Sequence, residues 1–177
     1  MRSEPVSVPK GKVLITGANG FVGRHLVEEY AKNGWEVRAL VRSQATCKLD
    51  RAKVREIVEV PDIAGVLDWA PLVQGCSVVV HLAAIANQVQ EAQDDGVVAF
   101  HLVNVTATAN LALAAGNSNV SRFLFVSSSG VMGDASQKPW TEDDVPSPQS
   151  AYAKSKLMAE QKVQSIAFQS DMEYVIL

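Results

Sequence analysis

TGANGFVG, residues 16–23, is the strongest indication of the fold class in this sequence. The stretch before it, Lys12–Thr16, has the apolar pattern of a strand, and a segment of helical periodicity follows at once. A pyrophosphate at such a turn would meet backbone N–H groups and the positive end of the helix dipole. Gly17 permits the tight turn, Gly20 lets the backbone approach the phosphates, and Gly23 permits close helix–strand packing. The turn predicts a dinucleotide site, and a glycine-rich connection without a ligand is the alternative.

Beyond the turn, short β-branched runs alternate with longer segments of helical periodicity. This alternation is typical of βαβ units, and runs that are apolar on both faces indicate a sheet covered on both sides. We predict an α/β fold, a three-layer doubly wound parallel sheet of the Rossmann type, with strand order 3-2-1-4-5-6. The predicted strands are Lys12–Thr16, Glu36–Val41, Val54–Val60, Ser77–Leu82, Arg122–Ser127 and Glu173–Leu177. The predicted helices are Phe21–Asn33, Ile63–Gln74, Val97–Ala115 and Ser150–Phe168, with a loop over Gln137–Gln149.

Composition limits the possible partners. The chain has 177 residues, 47% of them hydrophobic and 20% charged, which is ordinary for one globular domain. A net charge of −3 gives no bulk positive field, so we expect neither nucleic acid nor a membrane surface as a partner. No uninterrupted apolar run approaches the ~20 residues of a membrane helix, which predicts a soluble, cytoplasmic protein. Residues 1–11 are predicted to be a flexible leader and residues 12–177 the nucleotide-binding domain.

The cysteines and histidines predict no metal site. Cys47 and Cys76 lack CxxC spacing, so we expect idle or buried thiols without a disulfide or zinc. The histidines, His25, His81 and His101, stand singly among apolar neighbours. Such residues are predicted to be packed side chains.

The glycine turn resembles the TGxxGxxG signature of the short-chain dehydrogenase/reductase superfamily. Its GFVG ending is similar to the extended branch, the NAD-dependent epimerase/dehydratase family. Further resemblances follow in family order: HLAA at 81–84, NVTATANL at 104–111 with Ala107 where glycine is usual, FLFVSSSGVMGD at 123–134, and YAKSK at 152–156. The resemblance spans residues 11–177. Family members continue into a segment that supplies most of the substrate pocket, so it implies a chain truncated before that segment.

Tyr152 and Lys156 are the predicted proton-transfer pair. They stand four positions apart on a predicted helix, so their side chains share one face. An unperturbed tyrosine has a pKa of about 10, and a nearby ammonium favours the phenolate. Tyr152 could then exchange a proton with a substrate hydroxyl while hydride passes to or from a nicotinamide. The resemblance implies that Lys156 also holds the nicotinamide ribose, whereas a surface helix pair is the alternative.

The serine run after the fifth predicted strand supplies a third catalytic residue. Alignment of its flanking residues with the family motif places Ser128 at the catalytic serine or threonine, with Ser129 as the fallback. At least one of these hydroxyls is expected only to satisfy turn amides. Asn104 has two open roles, a backbone bridge or a proton relay. Ser129 and Gly130 stand where the family's dehydratases carry Asp and Glu, which disfavours dehydration.

The residue after the second strand predicts the cofactor. Val41-Arg42-Ser43 has no carboxylate for a free ribose hydroxyl, whereas a guanidinium suits a 2′-phosphate. We therefore expect NAD(P), with a preference for NADP through Arg42, aided by Ser43 and Lys48; a solvated Arg42 is the alternative. Asp62-Ile63 resembles the family's adenine contact. The predicted cofactor-binding residues are Gly17, Asn19, Gly20, Phe21, Val22, Gly23, Arg42, Asp62, Ile63, Leu82, Ala83, Ala84, Tyr152 and Lys156.

The resemblance implies an NAD(P)-dependent epimerase or 4-keto reductase/dehydrogenase of nucleotide sugars. SSSGVMGD at 127–134 and PSPQSAYAKSKLMAE at 146–160 are more similar to those groups than to steroid or flavonoid reductases. The alternatives are a reductase of a small carbonyl compound, a non-catalytic NADP-binding sensor module, or a structural domain with an empty turn. The chain alone is expected to bind cofactor with feeble activity. Family members pair the helices over Val97–Ala115 and around Tyr152, so a homodimer is a further expectation.

Overall fold

Six parallel strands form the centre of the fold. The computed structural model describes residues 10–86, 94–136 and 138–177. Its strands are β1 (Lys12–Thr16), β2 (Glu36–Val41), β3 (Glu56–Glu59), β4 (Val78–His81), β5 (Arg122–Phe125) and β6 (Glu173–Ile176). They lie side by side in the order β3-β2-β1-β4-β5-β6. The predicted fold class and strand order are therefore confirmed.

The central strands β1 and β4 are buried on both faces, and successive residues of each strand point to opposite faces of the sheet. Val13 and Ile15 of β1 pack on one side with Val27, whereas Leu14 packs on the other side with Leu111. The β-branched and apolar strand sequences thus fill two cores, one on each face. This burial explains why the runs in the sequence are apolar without alternation.

Helices cover the two faces of the sheet. They are α1 (Phe21–Lys32), α2 (Ala70–Val73), α3 (Asp94–Phe100), α4 (Ala107–Gly116) and α5 (Ala151–Ser170). A π-helical segment (His101–Thr106) joins α3 to α4, and a 3₁₀ turn (Ser129–Met132) follows β5. The predicted helix over Val97–Ala115 is confirmed in position, with an earlier start and this change of winding.

The predicted helix Ile63–Gln74 was wrong, since only α2 is helical there. Asp62 Oδ1 accepts a hydrogen bond from Ala64 N at 2.8 Å, and Asp68 Oδ1 accepts one from Ala70 N at 3.0 Å. Short polar side chains that bind nearby amides stabilise turns in place of helix. The apolar periodicity of this segment was therefore overridden by local side-chain bonding.

One helical stretch, Gly96–Gly116, is long and apolar enough to cross a membrane by length and composition alone. The prediction concerned uninterrupted apolar runs, and His101, Asn104 and Thr106 interrupt this stretch, so that prediction is not contradicted. Its buried residues include Asn104, Thr108, Leu111 and Ala112, and the last two contribute to the core on one face of the sheet. This packing accounts for the apolar composition, and a cytoplasmic location stays a prediction.

The remaining expectations have mixed outcomes. Residues 1–9 of the predicted leader and Gln137 lie outside the described residues. Lys10 N donates a hydrogen bond to Gly34 O at 3.0 Å, so the last residues of the predicted leader pack against the domain. Residues 138–149 contain neither helix nor strand, as predicted for that loop. Cys47 and Cys76 are free thiols. Of the histidines, His81 is buried as predicted, whereas those at 25 and 101 are exposed, which corrects the expectation for them.

Candidate cofactor cleft and active site

The glycine turn lies between the carboxyl ends of β1 and β4, which are neighbours in the sheet. Gly17 has a φ of +64°, and a Cβ on it would come within 2.9 Å of Ala83 N. A Cβ on Gly23 would overlap Gly17 O and come within 2.8 Å of Ala18. Both positions therefore require glycine, one for its backbone conformation and both for close approach. The roles predicted for these two glycines in turn formation and packing match this geometry.

The amino end of α1 is open for an anion. Gly20 occupies the cap position, contributes no side-chain hydrogen bond, and donates its own N–H to Gly17 O at 2.9 Å. First-turn N–H groups of a helix lack intrahelical partners and carry the positive end of the dipole. Phe21 and Val22 follow in this turn with 76% and 51% of their surface exposed.

A cleft of about 630 Å³ opens beside the turn, along the carboxyl edge of the sheet. Parallel α/β sheets bind ligands in such a crevice, where the strand order reverses. Nine of the predicted cofactor residues line it: Gly17, Asn19, Gly20, Arg42, Asp62, Ile63, Leu82, Ala83 and Ala84. The other predicted cofactor residues, Phe21, Val22, Gly23, Tyr152 and Lys156, do not line it.

Asn19 fastens the glycine turn to the loop after β2. Its Nδ2 donates to Thr46 O at 3.1 Å, and its Oδ1 accepts from Lys48 N at 2.8 Å. The amide thus pairs with the loop as another backbone would. Sequence reasoning assigned Asn19 to the cofactor and did not foresee this clamp.

The residues expected around the adenosine lie on this loop and on the segment after β3. Arg42 is exposed and lines the cleft together with Ser43, whose hydroxyl accepts from Ala45 N at 3.2 Å. Asp62 lines the same cleft, and its Oδ1 accepts a hydrogen bond from Ala64 N. Lys48 does not line this cleft; it borders a separate hollow beside α1. The structure therefore brings Arg42 and Ser43 to the cleft without Lys48.

Tyr152 and Lys156 project from the first two turns of α5. The Ser150 hydroxyl caps this helix by accepting from Ala153 N at 3.1 Å. The Tyr152 ring is half-buried, and burial raises its pKa above the ordinary value, while the neighbouring Ser128 hydroxyl opposes that rise. Ser128 and Tyr152 are therefore close neighbours, and their catalytic roles stay a prediction.

Lys156 is only 3% exposed, so the alternative of a surface helix pair is wrong. Its Nζ lies 4.0 Å from the centroid of the Phe125 ring, a cation–π distance. Burial lowers the Lys156 pKa to about 8, and the charge of Glu160 one turn later acts in the opposite direction. A buried ammonium with a lowered pKa, beside a half-buried phenol, is typical of a functional site.

The three serines after β5 have separate roles in the structure. Ser128 starts the 3₁₀ turn, and its Oγ accepts from Gly130 N at 3.2 Å, which leaves the hydroxyl proton available to another acceptor. Ser127 donates to a Glu160 carboxylate oxygen, and Ser129 is exposed. Ser128 satisfies a turn amide with its oxygen, and the expectation that one of the hydroxyls serves only a turn amide stays a prediction.

Asn104 acts as a backbone bridge. It is buried in the π-helical segment, where its Oδ1 accepts from Ile85 N and its Nδ2 donates to Ile85 O, both at 3.0 Å. Nδ2 also lies 3.0 Å from Ser155 Oγ, which in turn donates to Tyr152 O at 2.7 Å. The side chain thus links the loop after β4 to the helix that carries Tyr152. Short π-helical insertions often occur at functional sites.

Sequence reasoning missed four residues that support the site: Thr16, His81, Thr108 and Glu160. A hydroxyl that ends the apolar run of β1 could have drawn attention to Thr16, because strand ends line the crevice. Glu160, four residues after Lys156, could have been found by helical spacing. The partners of His81 carry no local signal.

Comparison with known proteins identifies the family. The sequence profile of the NAD dependent epimerase/dehydratase family matches residues 13–177. This chain belongs to that family. The resemblance predicted from the motifs is confirmed, and the Rossmann-type sheet described above is the fold of its relatives.

Similar proteins include enzymes and an enzyme subunit. The UDP-glucose 4-epimerase of Vibrio cholerae is 35% identical over 173 residues, which cover 96% of this chain and 51% of that protein. The methionine adenosyltransferase 2 subunit beta of Xenopus laevis is 33% identical over 167 residues, covering 90% and 45%. The solved structure of MoeE5 in complex with UDP-glucuronic acid and NAD has a TM-score of 0.80 at 32% identity, covering 94% and 52%. The chain therefore spans about half the length of these relatives.

Proposed function

We propose that this chain is the cofactor-binding part of an NAD(P)-dependent epimerase or 4-keto reductase/dehydrogenase of nucleotide sugars. The observation that carries the proposal is the link between the glycine-turn cleft and the helix of Tyr152 and the buried Lys156: Asn104 binds Ile85, which lines the cleft, and Ser155, which lies between the two catalytic side chains. Similarity to a UDP-glucose 4-epimerase and to a structure holding a UDP-sugar and NAD supports this substrate class. Reduction of a small carbonyl compound is the nearest alternative chemistry.

The residues of the cleft fit a dinucleotide. The Gly17 and Gly23 positions leave no room for a side chain, so the backbone itself forms the wall that phosphates would approach. Ile63 and Val41 provide apolar lining, and Asp62 offers a carboxylate for an exocyclic amine. Cofactor of this class supplies hydride acceptance and donation at the nicotinamide.

Proton transfer falls to the side chains of α5 and the turn after β5. Ser128 donates a hydrogen bond to the reacting oxygen, because its Oγ accepts from Gly130 N and its proton remains free for an acceptor. Tyr152 takes the substrate hydroxyl proton during oxidation and returns one during reduction. The Lys156 ammonium stabilises the phenolate form of Tyr152 and provides donors for a ribose hydroxyl.

The two pKa shifts predict how oxidation depends on pH. Burial raises the pKa of Tyr152, so its phenolate is a minor form near neutral pH, and a positive charge nearby favours it. Burial lowers the pKa of Lys156 to about 8, and the ammonium is therefore lost above that pH. Oxidation by wild-type protein is expected to rise with pH up to about 8 and then to level off, because further gain of phenolate is offset by loss of the ammonium.

The test of the catalytic assignment is Tyr152→Phe compared with wild type. Each protein is mixed with NAD⁺ or NADP⁺ and with UDP-, GDP- or dTDP-linked sugars, and reduction of bound cofactor is followed by nicotinamide fluorescence. Wild type is expected to reduce the cofactor slowly, and the variant to bind cofactor equally well without reducing it. Equal reduction by both proteins, or none by wild type with any sugar, would overturn the assignment.

Arg42 is proposed to select NADP through its 2′-phosphate, in place of the NAD held by the MoeE5 structure. A guanidinium with a phosphate forms charge-assisted, bidentate hydrogen bonds. We expect wild type to bind NADPH about tenfold more tightly than NADH, and Arg42→Ala to bind both equally. Titration followed by energy transfer from the tryptophans to the nicotinamide measures both. Equal affinities in wild type would make Arg42 a solvated cation and NAD the cofactor.

A second function, a non-catalytic NADP-binding module, is favoured by the similarity to a methionine adenosyltransferase subunit. A module of this kind would keep the cleft and make no use of the Tyr152 proton. Tyr152→Phe separates the two functions, because a module of this kind would keep its cofactor affinity and any partner binding while showing no turnover in either form.

Association into a homodimer is a further proposal. Large apolar side chains are exposed along the helices from α3 to α4: Val97, Val98, Leu102 and Leu113, each 41–56% exposed. Water-exposed apolar stripes of this kind favour association. Light scattering is expected to give the mass of a dimer, and a monomer at high concentration would refute it.

A further inference from the structure

Three buried side chains connect β1, β4 and α4 immediately beneath the cofactor cleft. Thr16 Oγ1 lies 2.7 Å from His81 Nδ1, and His81 Nε2 lies 2.9 Å from Thr108 Oγ1. All three residues are at most 1% exposed. We call them the Thr–His–Thr chain. None of them has a role in the proton transfer described above.

The neighbouring bonds fix where each proton of this chain lies. Thr108 Oγ1 donates to Asn104 O at 2.7 Å, so towards His81 it is an acceptor. Thr16 Oγ1 accepts from Leu82 N at 3.2 Å and from Ala83 N at 3.1 Å, which uses both of its lone pairs. Its own proton therefore goes to Nδ1 of His81, and the imidazole carries its proton on Nε2. The opposite tautomer would give Thr16 a third donor and leave its proton without an acceptor.

The surroundings keep this imidazole neutral. Its ring stacks on Phe125 at 5.9 Å between centroids, and Lys156 lies against the same Phe125 ring. Burial, together with the positive charge of Lys156, lowers the His81 pKa to about 3. His81 thus holds one tautomer throughout the range in which the protein works.

The Thr–His–Thr chain acts on the wall of the cleft. Leu82 and Ala83, whose N–H groups bind Thr16 Oγ1, both line the cleft. Ala83 N also lies where it would come within 2.9 Å of a Cβ on Gly17. The hydroxyl of Thr16 therefore fixes the backbone after β4 against the glycine turn, on the side where a cofactor would lie.

We propose that Thr16 and His81 are positioning residues for the cofactor: the neutral imidazole orients the Thr16 hydroxyl, which holds the Leu82–Ala83 backbone in its binding position. This inference rests on the proposed function of the cleft. Because the Leu82–Ala83 backbone is already ordered before the cofactor binds, binding does not have to supply the entropy cost of ordering it, and the affinity for cofactor is higher. His81 never exchanges a proton with substrate in this role.

The proton arrangement can be tested without cofactor. In a His25→Gln/His101→Gln background His81 is the sole histidine, and nitrogen-15 NMR reports the protonation of each ring nitrogen. We expect a bare, hydrogen-bonded Nδ1, a protonated Nε2, and no titration between pH 5 and 8. A proton on Nδ1, or titration within that range, would overturn the proposal.

The effect on binding is tested with a matched pair of variants. Thr16→Val keeps the shape and removes the hydroxyl, whereas Thr16→Ser keeps the hydroxyl. Thr16→Val leaves the buried N–H groups of Leu82 and Ala83 without an acceptor, which carries a free-energy cost. This variant is therefore expected to weaken NADH and NADPH binding about tenfold, and Thr16→Ser less than about threefold. Thermal unfolding of the same samples shows whether each variant is folded at the titration temperature.

The outcomes separate the two levels of inference. Wild-type affinity in folded Thr16→Val would overturn the positioning role and leave the cleft assignment intact. No binding of either cofactor by wild type would overturn the proposed function itself. If Thr16→Val does not fold, Thr108→Val replaces it, since this change removes the Nε2 acceptor at a residue that does not line the cleft. Weaker cofactor binding by folded Thr108→Val is expected, and unchanged binding would overturn the proposal.

Discussion

A methyl group added at Gly17 tests the close approach of the glycine turn after β1 to the backbone after β4. The variant Gly17→Ala places a side chain on a residue with a φ of +64° and brings its Cβ within 2.9 Å of Ala83 N. The chain offers matched controls, because Gly34 and Gly75 have φ values of +82° and +74° with no atom within 4 Å of a Cβ. The three substitutions share the backbone penalty, and Gly17→Ala alone adds the overlap.

The expected losses of stability follow from the backbone penalty and the steric overlap. A left-handed conformation costs an alanine about 1–2 kcal/mol, so both controls are expected to lose about that much unfolding free energy. Forcing a methyl group into a packed site costs a further ~1–3 kcal/mol, so Gly17→Ala is expected to lose about 2–5 kcal/mol in all. Because Ala83 lines the cleft, this variant is also expected to bind cofactor at least about tenfold more weakly, whereas the controls bind as wild type.

Urea unfolding followed by tryptophan fluorescence measures the stability term, and cofactor titration measures the binding term. The controls matter because destabilisation alone could follow from the backbone angle. Equal losses for Gly17→Ala and Gly34→Ala in both assays would refute the reasoning. In that event, Gly17 would serve only the turn, and the Ala83 contact would have no part in shaping the cleft.

Three further predictions concern stability and the cleft loop. A hydrogen bond from Arg38 holds the pKa of Glu56 at about 2, below its ordinary 4.5; its stabilisation is present above pH 4.5 and lost as pH falls towards 2. Since this side chain is 36% exposed, Glu56→Gln is expected to lower the free energy of unfolding by only about 1 kcal/mol at pH 7. In urea unfolding, the difference between variant and wild type should vanish towards pH 2. A difference that stays constant with pH would contradict this. Asn19→Ala removes both hydrogen bonds to the loop after β2. It is expected to weaken NADPH binding about tenfold and to lower the free energy of unfolding by less than about 1 kcal/mol. Unchanged affinity would show that the loop keeps its conformation without Asn19. Leu111→Ala, at a fully buried position, is expected to cost about 2–5 kcal/mol in thermal or urea unfolding, and a loss below 1 kcal/mol would contradict its place in the core.

Local sequence was sufficient where one segment carries its own structural signal. β1 and β2 have the predicted bounds, and α1 begins at the predicted Phe21. In these segments the apolar pattern, the glycine turn and the helix end agree. The helix predicted over Ile63–Gln74 failed because two aspartate side chains bind nearby amides, a competition that hydrophobic periodicity does not record.

The sequence predicted most of the residues that line the cleft but not the hydrogen bonds that position them. Strand order alone brings residues after β1, β2, β3 and β4 to one edge, which is why most predicted cofactor residues line one cleft. The clamp by Asn19 could not be predicted, since an amide side chain pairs equally well with a ligand or with any exposed backbone. Lys48 failed to reach the cleft for the related reason that loop direction depends on such contacts.

Periodicity and spacing over a few residues were enough to predict the doubly wound sheet, the glycine turn and the placing of Tyr152 and Lys156 on one helix. The burial of Lys156 and the tautomer of His81 follow only from the packing of distant segments. Thr16 and His81 are 65 positions apart and meet only because β1 and β4 are neighbours in register. Protonation and charge in this site depend on desolvation and on distant partners, and both come into existence when the chain packs.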